Sequence, residues 1–133
     1  MEDTAKRKAT GLVAPDLKLV AWEITRRCNL FCAHCRAAAM DEEYTGELST
    51  QECFRLVDQI SEVAKPILIL TGGEPLMRED IYDIGRYANS KGFRVVVGTN
   101  GTLINVKTAQ CIKEIPVSRI SISIDFPTAD LQD

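Results

Sequence analysis

Hydrophobic and polar residues along this chain form two alternating kinds of block, which predict strands and helices in turn. The segment LKLVAWEIT (17–25) has the period-two alternation of a strand, and ILIL (67–70) is a short apolar run typical of a buried parallel strand. Two further strands are predicted over FRVVVGTNG (93–101) and RISISID (119–125). The pattern therefore predicts four strands.

The segments between these strands have helical periodicity. Ser49 and Glu52 have the spacing of a capping box, and the apolar residues that follow recur at helical intervals as far as Pro66. A second amphipathic pattern ends at Gly92, and a third covers 105–115. The resulting order, β-α-β-α-β-α-β, predicts an α/β fold of parallel βα repeats, with right-handed crossovers and helices outside the sheet.

Order is expected to begin near Leu17. Residues 1–16 are charged and show no sustained period, so they are predicted to form a flexible N-terminal arm, with one domain over 17–133.

A content of 45% hydrophobic and 26% charged residues is typical of a soluble globular domain. No apolar run is long enough to span a membrane, and the net charge of −3 comes without a basic stripe. We therefore expect a cytoplasmic protein with no membrane and no nucleic acid as partner.

Unusual residues follow each predicted strand at its carboxyl end, where ligands gather in parallel sheets. A cysteine-rich loop follows the first strand, GGEP (72–75, after Thr71) follows the second, GTNG (98–101) ends the third, and Asp125 ends the fourth. In the fourth strand, isoleucines alternate with Ser121, Ser123 and Asp125, so one face suits a helix layer and the other the polar interior of an open barrel. The alternative is a solvated face of an uncovered sheet.

Three of the five cysteines, Cys28, Cys32 and Cys35, lie within eight residues. Thiolates select zinc or iron–sulfur clusters, and three of them on a four-iron cluster leave one iron open for chemistry. A zinc site that adds His34, the only histidine, is the alternative, although His34 adjoins Cys35 and tetrahedral ligation by both is awkward.

The remaining cysteines, Cys53 and Cys111, fall on predicted helices, where small core residues are expected. In TGGEP, Gly72 and Gly73 allow backbone to approach a ligand closely, and the Glu74 carboxylate suits a charged amine.

The motifs CNLFCAHC and GGEP together resemble those of the radical S-adenosylmethionine (radical SAM) superfamily, over about residues 17–126. The resemblance implies the first four strands of a partial (β/α)6 barrel. It also implies a [4Fe-4S] cluster and S-adenosylmethionine as cofactors, with reductive cleavage of S-adenosylmethionine to a 5'-deoxyadenosyl radical that abstracts hydrogen from a substrate.

Carried over by position, the resemblance makes Cys28, Cys32 and Cys35 the cluster ligands. His34 would lie near the adenine, or else pack on the cluster as a loop residue. The cofactor-binding residues that it implies are Gly72, Gly73, Glu74, Pro75, His34, Asn100, Ser123 and Asp125.

The stretches WEITRRCNLFCAHCRAAA and TGGEPLMREDIYDIGRYANSKG resemble the branch that remodels sirohaem-derived tetrapyrroles in haem and d-type haem biosynthesis. The alternative within the superfamily is a peptide maturase with C-terminal auxiliary clusters. An alternative of another class is a non-catalytic iron–sulfur module or electron carrier. The expected partners of an enzyme are a tetrapyrrole or other small-molecule substrate and a low-potential donor such as a ferredoxin or flavodoxin.

Only FPTADLQD follows Asp125, so we expect this chain to be the N-terminal portion of a longer barrel. An uncovered fourth strand would have an unpaired edge, and such edges recruit partners. The isolated chain is therefore predicted to self-associate and to be inactive on its own.

Overall fold

The computed structural model describes residues 16–132, which form a parallel sheet with helices. Its four strands lie in the order β1-β2-β3-β4, with every neighbouring pair parallel. They are β1 (Leu19–Thr25), β2 (Ile67–Gly72), β3 (Arg94–Thr99) and β4 (Arg119–Ile122). The predicted α/β order of parallel βα repeats is confirmed.

Helices connect the strands, and the first begins directly after Ser49, as its capping box predicts. They are α1 (Thr50–Val63), a 3-10 helix (Pro75–Met77), α2 (Ile81–Ser90), α3 (Val106–Glu114) and α4 (Ala129–Gln132). At the start of α1, the Ser49 N–H donates to Glu52 Oε2 over 2.8 Å, and the Glu52 N–H donates to Ser49 Oγ over 3.4 Å. The predicted capping box therefore forms, and it satisfies backbone donors that the first helical turn leaves unpaired.

The core lies between the two central strands and the first two helices. Alternate residues of β2 and β3, Leu68, Leu70, Val95 and Val97, are fully buried. They belong to one cluster with buried residues of α1 and α2, which include Cys53, Val57, Ile81, Ile84 and Ala88. Burial of one face of both strands fixes β2 and β3, and so the height at which each following loop leaves the sheet.

The fourth strand is shorter than the sequence predicts. It ends at Ile122 rather than Asp125, because its ladder pairs Thr99 with Ile122 and β3 itself ends at Thr99. The side chains of Ile120, Ile122 and Ile124 are 39%, 50% and 73% exposed. Their predicted burial beneath a helix layer is therefore wrong for the part of the chain that the structure describes.

The predicted arm over residues 1–16 lies outside the described residues, apart from Asp16. Between residues 16 and 132, no helix is both long and apolar enough to cross a bilayer. In β1, the pairing with β2 shifts register between Glu23 and Thr25, a bulge-like irregularity directly before the cysteine loop.

Candidate functional site

Four loops leave the sheet at the carboxyl ends of the strands, and we call this edge the rim. Thr25 lies opposite Gly72 at the ends of β1 and β2, and Thr99 lies opposite Ile122 at the ends of β3 and β4. Strand ends that lie opposite one another bring the following loops together. The rim therefore gathers the segments that the sequence singles out for chemistry.

The GGEP loop is docked on the end of β1 by its backbone. The Gly73 N–H donates to Thr25 O over 2.9 Å, and the Glu74 N–H donates to Arg27 O over 2.8 Å. A Cβ on Gly72 would overlap Thr25 O, and one on Gly73 would lie 2.5 Å from Arg27 O. Gly72 also has φ +154°, which L side chains rarely adopt. The two glycines thus allow the GGEP loop to pack directly against the root of the cysteine loop.

The carboxylate of Glu74 is fully buried and joins the GGEP loop to the end of β3. Its Oε1 accepts hydrogen bonds from the Leu76 N–H over 3.0 Å and the Thr99 hydroxyl over 2.7 Å. Its Oε2 accepts from the Asn100 N–H over 2.7 Å. A carboxylate offers about four lone-pair sites, so three of these are filled within the chain.

Three polar side chains form a closed ring of hydrogen bonds above Glu74, and we call them the Asn29–Thr102–Asn100 ring. Asn100 Nδ2 donates to Asn29 Oδ1 over 3.0 Å, and Asn29 Nδ2 donates to Thr102 Oγ1 over 2.8 Å. The Thr102 hydroxyl donates to Asn100 Oδ1 over 2.7 Å and closes the ring. The ring ties the cysteine loop to the loop that follows β3.

The three clustered cysteines differ in exposure. Cys28 is buried, Cys35 is partly buried and Cys32 is exposed. The Cys28 Sγ accepts from the Leu30 N–H over 3.4 Å and lies 3.9 Å from Asn100 Nδ2. Two N–H donors on one sulfur are the surroundings that a ligating thiolate has in iron–sulfur proteins, so this donor set fits the cluster that the spacing predicts.

The segment that returns from the cysteine loop to α1 is tied to the end of β1. The Cys28 N–H donates to Met40 O over 3.0 Å, and Arg27 Nε donates to Asp41 Oδ1 over 2.6 Å. The Thr25 hydroxyl donates to Glu47 Oε1 over 2.9 Å. These contacts fix the two ends of the cysteine loop at the end of β1.

Within residues 16–132, no three His, Cys, Asp or Glu side chains converge as the ligands of one metal ion. The structure thus does not bring Cys28, Cys32, Cys35 and His34 together as a single-ion site. A four-iron cluster does not require the three sulfurs to converge on one point, because each thiolate binds a different iron atom.

A cavity of about 850 Å³ opens between the cysteine loop and the loop after β4. Its lining brings together five residues that the sequence predicts for the site: Cys32, His34, Asn100, Ser123 and Asp125. His34 Nε2 lies 3.2 Å from Asp125 Oδ2 across its mouth. Cys35 and Gly72 instead line an open groove of about 710 Å³ beside β1, whereas Glu74 and Pro75 are buried behind the rim.

A largely buried arginine, Arg78, lies behind the rim and is not predicted by the sequence patterns. The guanidinium of Arg78 donates to Ile24 O over 2.7 Å, to Leu48 O over 2.6 Å and to Asp80 Oδ1 over 2.6 Å. The hydrogen bond with Asp80 raises the pKa of Arg78 further above its ordinary value. Because its partners include two backbone carbonyls distant in sequence, only the charged residues in LMRED (76–80), directly after GGEP, could have indicated it.

The two cysteines outside the cluster differ from the other three in setting. Cys53 is fully buried on α1, as predicted, and burial raises the pKa of its thiol despite Arg78 Nη2 at 3.4 Å. Cys111 is partly buried on α3. A protonated, buried thiol is a poor metal ligand, so Cys53 is set apart from the rim cysteines.

The chain is similar to known proteins over most of its length. The family model of the radical SAM superfamily matches residues 22–133. The AdoMet-dependent heme synthase of Oleidesulfovibrio alaskensis is 54% identical over 90% of this chain and 31% of its own length. The mycofactocin maturase MftC of Mycobacterium ulcerans is 33% identical over 92% of this chain and 32% of its own length.

Among solved structures, Streptococcus suis SuiB bound to S-adenosylmethionine superposes with a TM-score of 0.76 at 20% identity. The superposition covers 98% of this chain and 30% of that one. The chain thus spans about a third of the length of the relatives that it matches. The likeness to SuiB supports the predicted fold.

Proposed function

The chain belongs to the radical SAM superfamily, and on this premise we propose that it holds a [4Fe-4S] cluster and S-adenosylmethionine at the rim. The observation that carries the proposal is the cavity in which Cys32, His34, Ser123 and Asp125 meet. The sequence places these residues on loops after two different strands, and both loops contribute to one cavity. The proposed activity is reductive cleavage of S-adenosylmethionine to a radical that abstracts hydrogen from a substrate.

Cys28, Cys32 and Cys35 are the proposed cluster ligands. Bound there, the cluster would supply one electron to the sulfonium and an open iron for the methionine end of the cofactor. The N–H donors at the Cys28 sulfur would stabilise the thiolate, and the tied ends of the loop would keep the three sulfurs on one side of the cluster.

The GGEP loop, His34, Ser123 and Asp125 are proposed to bind and orient S-adenosylmethionine. The GGEP loop, with Gly72, Gly73, Glu74 and Pro75, would meet the amino group through its backbone, because the Glu74 carboxylate is fully buried and already accepts three hydrogen bonds.

The nucleoside end would occupy the cavity. There the Ser123 hydroxyl and the Asp125 carboxylate suit ribose hydroxyls, and the His34 ring suits the adenine. The exposed Phe31 also lines this cavity and would help to exclude water from the cofactor.

The proposed substrate is a sirohaem-derived tetrapyrrole in haem biosynthesis. The proposed electron donor is a ferredoxin or flavodoxin in the cytoplasm. The identity of 54% to an AdoMet-dependent heme synthase, against 33% to the mycofactocin maturase MftC, favours the haem branch. An electron carrier or non-catalytic module has no need of a cavity beside its cluster, so the cavity favours an enzyme.

Anaerobic reconstitution with iron and sulfide tests the ligand assignment. We expect one [4Fe-4S] cluster per chain, which is lost when Cys28, Cys32 and Cys35 are all replaced by alanine and retained in the matched Cys53→Ala and Cys111→Ala variants. The full-length protein, loaded with the cluster and given a low-potential reductant, should then form 5'-deoxyadenosine, and it should alter a tetrapyrrole but not a peptide. A cluster that persists in the triple variant would contradict the assignment.

We also propose that residues 17–133 are the N-terminal part of a longer barrel, and that the 133-residue chain alone self-associates and lacks turnover. The support is β4, where Ile120 and Ile122 are exposed on a strand paired on one side within the described residues. Light scattering at micromolar concentration should report a dimer or larger species. A monomer that turns over substrate would contradict this proposal.

A further inference from the structure

The side chain of Asn100 has all of its hydrogen-bonding positions filled within the chain. Its Nδ2 donates to Asn29 Oδ1 over 3.0 Å and faces Cys28 Sγ over 3.9 Å. Its Oδ1 accepts from the Thr102 N–H over 3.0 Å and from the Thr102 hydroxyl over 2.7 Å. An amide side chain has two donor hydrogens and two acceptor lone pairs, so these four contacts complete its capacity.

The position of Asn100 is fixed from below as well. Its backbone N–H donates to Glu74 Oε2 over 2.7 Å, and the fully buried Glu74 also accepts from the Thr99 hydroxyl. The Gly101 N–H donates to Thr99 Oγ1 over 3.0 Å. Backbone and side chain are therefore both held, and the amide has one defined orientation toward the cysteine loop.

We propose that Asn100 is a positioning residue that acts through Cys28, rather than a residue that contacts S-adenosylmethionine. The Asn29–Thr102–Asn100 ring holds an N–H donor against the Cys28 sulfur, where it stabilises the negative charge that a cluster ligand carries. The inference rests on the proposed function, because it requires Cys28 to bind the cluster. Hydrogen bonds to ligand sulfurs raise the reduction potential of iron–sulfur clusters, so this contact makes the cluster easier to reduce.

The test is a redox titration of the cluster-loaded protein, with the reduced cluster quantified by electron paramagnetic resonance. Asn100→Ala removes one weak donor, and we expect the equilibrium constant for reduction to fall about threefold, or about 30 mV for one electron. Asn100→Asp keeps the shape but places a carboxylate beside the sulfur, so we expect a larger fall. The matched control is Asn89→Ala on α2, away from the rim, which should leave the potential unchanged.

A second variant keeps the test sharp if Asn100 variants take up no cluster. Thr102→Val leaves every cysteine and Asn100 in place but removes a ring member, and we expect a smaller fall in potential than for Asn100→Ala. Unchanged potentials with a weaker affinity for S-adenosylmethionine would overturn the inference, because Asn100 would then be a cofactor contact. Loss of cluster uptake in Thr102→Val would also overturn it, because the ring would then support only the fold.

The same experiment distinguishes failure of the proposed function from failure of the role given to Asn100. A wild-type protein that takes up no cluster contradicts the proposed function itself. If the wild-type protein takes up a cluster and the Asn100 variants have the same reduction potential as the wild type, only the role given to Asn100 is contradicted.

Discussion

The GGEP loop and the cysteine loop meet at the same rim but are built in opposite ways. The GGEP loop has a fully buried carboxylate that accepts three hydrogen bonds, from Leu76, Thr99 and Asn100. In the cysteine loop, by contrast, the side chain of Phe31 is 71% exposed and Cys32 is exposed. The GGEP loop is anchored to β1 and β3 through its backbone and a buried carboxylate, whereas the cysteine loop leaves its middle exposed. A ligand-carrying loop thus stays open where its neighbour supplies the rigidity.

The largest effect is expected from Glu74→Ala, which would make the two loops alike. The substitution leaves the Thr99 hydroxyl and the N–H groups of Leu76 and Asn100 without their buried acceptor. We expect the free energy of unfolding to fall by about 3 kcal/mol, because stranded buried donors cost about 1–3 kcal/mol each and relax in part. Urea denaturation of the cluster-free protein measures this.

The control is Glu79→Ala, five residues along the chain, where the carboxylate is exposed. Its unfolding midpoint should change little, since surface substitutions usually stay within about 0.5 kcal/mol. A Glu74→Ala protein as stable as this control would remove the contrast between the loops.

A small effect is expected from Phe31→Ala in the cysteine loop. Because Phe31 is mostly exposed in the cluster-free chain, we expect a change in unfolding free energy within about 0.5 kcal/mol. The same substitution should weaken binding of S-adenosylmethionine to the loaded protein, because Phe31 lines the cavity. Equilibrium denaturation and cofactor titration measure the two effects separately.

The contrast between the two loops is clearest if Glu74→Ala mainly lowers the free energy of unfolding and Phe31→Ala mainly lowers the affinity for S-adenosylmethionine. A loss of more than about 1 kcal/mol of folding stability in Phe31→Ala would show that the cysteine loop packs more firmly than its exposure indicates.

Most of the fold could be predicted from the sequence, because its signals are local. The capping box at Ser49 and the period of β2 and β3 depend on residues within one turn or one strand, and both are confirmed. The predicted length of β4 is wrong, because the length of this strand depends on where β3 ends, at Thr99. A strand's own alternation carries no information about the length of its partner.

The site was predictable in part for the same reason. The spacing of Cys28, Cys32 and Cys35 is a local pattern, and membership of the superfamily is confirmed. The contacts of Arg78 with backbone carbonyls, and the Asn29–Thr102 hydrogen bond between residues 73 positions apart, depend on the folded chain. Neither has a signature in the sequence, because any polar side chain can find such partners after folding.

Because the register of β1 shifts between Glu23 and Thr25, the cysteine loop cannot be transferred to another protein as an isolated segment. A one-residue slip at the end of a strand turns every following side chain to the opposite face. A graft of the bare CNLFCAHC segment onto another parallel sheet would keep its cysteine spacing and lose the direction in which the loop leaves the strand. A transplant that keeps that direction has to carry the irregular end of β1 and the Gly72–Gly73 backbone that receives it.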